Sequence, residues 1–248
     1  VWDDLLLYIA IGFFAQMVDG AIGMAYGVTA SSVLLSTGVP PATASACVHV
    51  AEVFTTGASG LAHWRVGNID RALVKRLVIP GMIGGALGAY VLAAIPGEML
   101  RPWISAYLLV LGIVILRRAI APAAPSPLGC GRVAPLGFFG GMLDAIGGGG
   151  WGPIVTSTLL GRGAPPKTVI GSVNLAEFFV TVTVSAALVA TVGLSLWQIV
   201  LGLMIGGVVA APFAALATKH LPDRILMAMV GIVVVGLSLH TILRTVLR

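Results

Sequence analysis

Charge is what this sequence has least of. Only 9% of its residues are Asp, Glu, Lys or Arg, where soluble globular domains carry roughly 25%. A chain with so few hydrated groups cannot cover itself with a water-facing surface. With 58% hydrophobic residues and a mean hydropathy of +1.05, it reads as a polytopic membrane protein, to which length-based counts of soluble domains do not apply. Cysteine is nearly absent as well. Cys47 lies in an apolar segment and Cys130 in a polar-side loop, which argues against a disulfide framework and against a thiolate metal site. No HExxH, Walker or dinucleotide-binding pattern occurs, so no cofactor and no metal are expected. Val1-Trp-Asp-Asp lacks the basic n-region of a cleavable signal. The formal charge of +5 comes from basic loops, which suit contact with anionic membrane lipid and call for no nucleic-acid partner.

Glycine, in contrast, is abundant at 33 residues, and small residues let helices approach closely in lipid. Some of these glycines belong to an internal repeat. Asp19-Gly-Ala-Ile-Gly23-Met-Ala-Tyr26-Gly27 aligns with Asp144-Ala-Ile-Gly-Gly148-Gly-Gly-Trp151-Gly152. Gly38-Val-Pro40-Pro41-Ala-Thr43 aligns with Gly163-Ala-Pro165-Pro166-Lys-Thr168, and His49-Val-Ala51-Glu52 with Asn174-Leu-Ala176-Glu177. The offset is 125 throughout, about half of the 248 residues. Two copies therefore fill the chain, an N-terminal repeat over 1–120 and a C-terminal repeat over 132–248, joined by a Pro-rich linker at 121–131. Duplication in an apolar chain points to a transporter whose site lies where the repeats meet.

Apolar runs predict ten segments, near 5–18, 21–36, 43–64, 71–95, 99–118, 133–145, 148–161, 168–191, 194–217 and 223–246. A crossing helix needs about 20 residues, so the first, second, sixth and seventh are short. Asp19-Gly20 and Gly147 to Gly150 break them into tight hairpins or re-entrant half-helices, whose exposed backbone is tolerated only where protein lines it. Alternation from an outside N-terminus puts four basic groups in the cytoplasm: Arg65 to Arg76, Arg117 to Arg132, Arg162 with Lys167, and Lys219 with Arg224. That agrees with the positive-inside rule; Arg244 and Arg248 are exceptions, placed outside. Five segments per repeat is an odd number, so the second copy is inverted. The expected fold is all-α, with two inverted repeats that include short or re-entrant hairpins.

Ionisable groups inside a membrane are costly and mark function by default. Glu52 and Glu177 occupy equivalent apolar positions, with His49 and Asn174 three residues earlier and Thr56 and Thr181 four later. That spacing puts each trio on one helical face. The plainer role is hydrogen bonding that holds the repeats together. His49 is titratable and present in one copy only, which suggests a directional task. Asp19 and Asp144 open the Gly-rich stretches; helix capping explains Asp144, while Gln16, three residues before Asp19, leaves that position open. The stretches containing Gly23, Gly27, Gly148 and Gly152 offer helix N-termini able to bind anions. Tyr26 and Trp151 could line one cavity from two sides or anchor at the interface. Gly84-Gly-Ala-Leu-Gly88 and Gly202-Leu-Met-Ile-Gly206 read as internal helix contacts before a homodimer seam. Gly57-Ala58-Ser59-Gly60 with His63 resembles the nucleophile motif of rhomboid-type intramembrane proteases. The copy of Ser59 is Val184, however, and a protease leaves the duplicated glutamates unexplained.

The Asp19-Gly-Ala-Ile-Gly23-Met stretch, the Gly38-x-Pro40-Pro41-x-x-Ala-Ser segment, the His49-x-Ala-Glu52 pair and Pro80-Gly81-x-x-Gly84 together resemble the TauE/SafE family of sulfite and organosulfonate exporters. The resemblance spans nearly the whole chain. It implies a bacterial inner-membrane permease, not an enzyme, that exports a small sulfur oxyanion such as sulfoacetate or sulfite. No Lys or Arg lies mid-membrane, so an anion would rely on helix ends, His49, Gln16, Asn174 and the aromatic N–H or O–H groups. Glu52 and Glu177 would repel it unless protonated, which makes proton coupling an expectation. A cation transporter using the same carboxylates is the physical rival.

Overall fold

The protein's structure, a computed structural model, describes residues 2–22, 24–65, 67–120, 133–162, 164–194, 196–217 and 223–247. Among these residues there are ten α-helices, one π-helical turn and no strand. The first half holds α1 (Trp2–Ile22), α2 (Tyr26–Ser36), α3 (Pro41–Arg65), α4 (Arg71–Ala94) and α5 (Gly97–Ile120). The second holds α6 (Val133–Gly147), a π-turn (Gly152–Thr156) running into α7 (Ser157–Gly161), α8 (Pro166–Val192), α9 (Trp197–Ala217) and α10 (Asp223–Val246). The linker expected at 121–131 lies outside the described residues.

Among the described residues, four helical stretches are long and apolar enough to cross a membrane: Arg71–Ala94, Gly97–Ile120, Thr168–Val192 and Met227–Arg244. The protein is an all-α, multi-pass membrane protein. On α4 the outward stripe Ile79, Ile83, Leu87 and Tyr90 is exposed, a spacing of one helical face turned toward lipid. The opposite face is largely glycine, and that lets α6 come close. A methyl group at Gly84 or Gly88 would run into the backbone of Phe138 or Met142 on α6. Gly202 and Gly206 on α9 meet Tyr8 and Ile9 of α1 in the same way. Both small-residue pairs are thus internal helix contacts.

Helix neighbours follow a rule. The main contacts join α1 to α9, α4 to α6, α3 to α8, α5 to α10, α4 to α8 and α3 to α9. Exchange α1 with α6, α3 with α8, α4 with α9 and α5 with α10, and the set maps onto itself. A pseudo-two-fold relation between halves requires that pattern. The α3·α8 and α5·α10 pairs map onto themselves, so the Glu-bearing helices lie against each other at the centre.

Two breaks depart from the sequence reading. Helix α1 continues through Asp19-Gly20 to Ile22, and the chain turns only before Tyr26. The carboxylate of Asp19 reaches forward to accept the Tyr26 N–H at 3.3 Å, so the aspartate sits in the last turn of one helix and caps the next. In the seventh segment only α7 is α-helical, since Pro153 lies in the π-turn before it.

Candidate functional site

The two breaks meet at the bundle centre. Gly27 begins α2 against Gly149 of the second break, and a methyl group on Gly149 would collide with the backbone of Gly27 and Val28. Gly149 also has φ +156°, a conformation that favours glycine. Backbone therefore touches backbone across the repeats, and side chains are pushed to the edges of the contact. Ala25, just before α2, adopts φ +109°, a conformation that strains a residue with a β-carbon.

Beside this contact is a cavity of about 10 Å³, room for a single water at most. Four carboxylates line it, Asp19, Glu52, Asp144 and Glu177, and no Lys or Arg does. Glu52 is 3% exposed, Glu177 9% and Asp144 1%, and Glu52 lies in electrostatic reach of the other three. One carboxylate oxygen of Glu52, Oε2, has no hydrogen-bond partner among the described residues. The helical faces predicted for the trios do not deliver the threonines: Thr56 donates to the Glu52 carbonyl at 2.5 Å and Thr181 to that of Phe178 at 3.0 Å.

His49 is fully buried and does not line the cavity, but it holds a residue that does. Its Nε2 lies 3.1 Å from Asp144 Oδ2, while Asp144 Oδ1 accepts the Trp151 N–H at 2.9 Å. Asp144 thus caps the helix that follows the break, as its sequence position suggests, and also partners His49. The Ser45 hydroxyl donates to the Ala145 carbonyl at 2.6 Å, and His49 Nδ1 lies 2.8 Å from the Ser45 carbonyl, so both ring nitrogens of His49 face oxygen atoms.

The symmetry mates are arranged differently. Asn174, the copy of His49, donates to Ser59 Oγ at 2.8 Å. Ser31 donates to the Gly148 carbonyl, whereas its copy, Thr156, has a buried hydroxyl without a partner among the described residues. Ser45 has Ile170 as its copy. The second break is therefore bolted to the first repeat by Ser31, Ser45 and His49, and among the described residues the first break has no matching set.

Of the residues predicted for the site, Asp19, Tyr26, Gly27, Glu52, Gly152 and Glu177 line the cavity. Gly148 is held through its carbonyl, and His49 acts through Asp144. Tyr26 donates its hydroxyl proton to Leu203 O at 3.0 Å and Trp151 its Nε1–H to Val173 O at 3.3 Å, so both aromatic handles hold backbone. Gln16 is buried, its amide oxygen has no partner among the described residues, and, like Asn174, it does not line the cavity. Gly23 lies outside the described residues. Sequence reasoning missed Ser31, Ser45, Gly149 and Tyr107, whose ring packs on Gly147 and Gly150. It also left Asp144 as a cap alone, although Asp144 is the copy of a residue singled out for the site. Ser59 accepts from Asn174 and His63 Nδ1 is engaged by Asn68 Nδ2 at 3.3 Å, an arrangement unlike the serine–histidine pairing a rhomboid-like protease needs.

Comparison with known proteins agrees with this architecture. The family model described as "Sulfite exporter TauE/SafE" matches residues 8–241. The chain belongs to this family. It is also 42% identical, over 96% of its length and 83% of the other's, to "Probable membrane transporter protein YtnM" of Bacillus subtilis (strain 168). No solved structure matches. The protein is thus a membrane transporter of the TauE/SafE family.

Proposed function

We propose that the protein is a secondary transporter of the bacterial inner membrane that exports a small sulfur oxyanion, sulfoacetate or sulfite, by proton-coupled alternating access. The observation that carries this reading is the match to the family model described as a sulfite exporter over residues 8–241; the carboxylate-lined cavity where the two breaks and the two Glu-bearing helices meet offers the place for it. An anion can enter such walls only if protons enter with it, because ionised carboxylates in a low-dielectric site repel it strongly. The His49–Asp144 contact, 3.1 Å between Nε2 and Oδ2, is the place where a coupled proton would be carried. The cavity is too small for any sulfur oxyanion, so transport requires it to widen. The two halves, read as inverted repeats over 1–120 and 132–248, would rock about the α3·α8 contact. In that motion the bolted second break stays with the first repeat, and the less tied first break opens.

One feature favours a second reading, a cation transporter: four carboxylates and no basic side chain face the cavity. Uptake into proteoliposomes separates the two. Labelled sulfoacetate, sulfite, taurine and acetate are offered under imposed pH gradients, with sodium and calcium flux followed in parallel. Sulfonate or sulfite flux that grows with the proton gradient supports the exporter. Cation flux without any sulfur oxyanion flux would replace it with the second reading.

A further inference from the structure

We propose that the membrane face opposite the basic loops carries a second site, separate from the carboxylate cavity, for a tetrahedral oxyanion such as a sulfonate, sulfate or phosphate group. A cavity of about 590 Å³ opens there, lined by residues that include Thr37, Gly38, Glu98, Arg101 and Arg244. Its size falls in the usual range of ligand sites, about 300–1,000 Å³. The walls come from the α2–α3 turn, the start of α5 and the end of α10. It thus sits at one end of the α5·α10 contact that joins the two halves.

Two arginines give the cavity its chemistry. Arg101 Nη2 donates to the carbonyls of Gly38 at 3.0 Å and Val39 at 3.2 Å. Those bonds fix the guanidinium in place and use only part of its five N–H groups. Arg244, in the last turn of α10, is exposed and has no hydrogen bond or ion pair among the described residues. Glu98 shares the lining without pairing to either arginine, so two guanidiniums face one carboxylate and the wall is net positive. Thr37 cannot compete as a donor, because its hydroxyl is bound to the Leu34 carbonyl at 2.8 Å. A planar fork of donors with permanent charge suits an oxyanion better than an ammonium does.

The site also accounts for an anomaly in the sequence. Arg101 and Arg244, both on this face, run against the positive-inside pattern of the basic loops, and a basic residue at a translocated helix end weakens the orientation signal. A ligand at that end gives them a use. Trp103, 75% exposed and close in sequence to Arg101, and Trp197, 56% exposed at the start of α9, mark the headgroup level on this face. Both a dissolved oxyanion and the phosphate of a lipid headgroup therefore reach the cavity.

The test uses the whole protein as wild type, Arg244→Gln and Arg244→Lys. Sodium sulfate and inorganic phosphate are titrated by calorimetry in detergent. In parallel, lipid retained from nanodiscs with and without phosphatidylglycerol is counted by native mass spectrometry. The expected result is sulfate or phosphate binding weakened about tenfold or more in Arg244→Gln. Arg244→Lys should fall between, and thermal stability should stay unchanged because the side chain is exposed. Anion binding that does not depend on Arg244, with phosphatidylglycerol retained by wild type and lost from Arg244→Gln, would assign the oxyanion to a lipid headgroup and sustain the site. Equal anion affinity and equal lipid retention in wild type and Arg244→Gln would overturn it. Anion entering the carboxylate cavity is insensitive to Arg244, and Glu52→Gln provides that control.

Discussion

Replacing His49 tests both the hydrogen-bond network and the proposed proton coupling. His49→Ala removes the partner of a buried carboxylate oxygen, Asp144 Oδ2, 3.1 Å from Nε2, and the donor to the Ser45 carbonyl. Breaking a buried charged pair by removing one member typically costs about 3–5 kcal/mol, and the vacated ring adds a cavity term. Stability in mixed micelles, followed by SDS titration, should drop by about 3 kcal/mol or more. His49→Asn is the informative companion, because Asn is what the second repeat carries at this position. Its amide takes the place of Nδ1 and can still donate to the Ser45 carbonyl, but it is too short to reach Asp144, so the stability loss should approach that of His49→Ala, about 3 kcal/mol. It also cannot take up a proton. Transport by His49→Asn should therefore persist at reduced rate with a flattened pH profile in proteoliposomes. If His49→Asn keeps the wild-type pH profile, the pair is structural and the reasoning about its proton is wrong.

Glu52→Gln fixes the neutral form of a cavity-lining carboxyl. Wild-type anion binding should strengthen as pH falls, since a bound proton removes a negative charge from the wall; the variant should bind and lose the Glu52 share of that dependence in a pH series of affinities. Gly149→Ala adds a methyl group facing the Gly27 and Val28 backbone at φ +156°. Overpacking and backbone strain together should cost about 3 kcal/mol or more, read as lost folded yield on size-exclusion chromatography. Gly38→Ala, at φ +96° but in open space, should cost only about 1 kcal/mol; equal losses at the two glycines would discount the contact between the breaks. Inversion of the repeats is checked with Pro40→Cys and Pro165→Cys, both exposed, in a Cys130→Ser background. Impermeant maleimide should reach them from opposite sides of the membrane, and labelling from one side would refute inversion.

Much of the fold was legible because lipid imposes simple rules. Apolar length located α4, α5, α8 and α10 to within two residues, and the ungapped repeat announced that α3 and α8 would be counterparts. The glycines of α4 and α9 were readable as helix contacts because a stripe of small residues has few other uses. The ends of α1 were harder to read. Asp19-Gly20 resembles a helix stop, yet the aspartate acts forward, on the N–H of Tyr26 seven residues on. The site was legible as a set of residue types and not as a set of partners. His49 and Asp144 are 95 positions apart, and repeat symmetry would pair Asp19 with Asn174 equally well. Only packing decides that Asn174 turns to Ser59 while His49 takes Asp144. Ser31 and Ser45 were missed because isolated serines in an apolar run carry no periodic signal, although neither has a serine at its copy.

The claim at the centre of this account is that a sulfur oxyanion crosses the membrane together with protons. The direct measurement is the internal pH of proteoliposomes loaded with the trapped dye pyranine and given a sulfoacetate or sulfite gradient with no pH gradient imposed. The account predicts that either anion drives a pH change in vesicles holding wild type, that the change disappears in protein-free vesicles, and that Glu52→Gln and His49→Asn diminish it. Transport of labelled anion with no accompanying pH change, or a pH change driven by sodium or calcium and by neither anion, would contradict it.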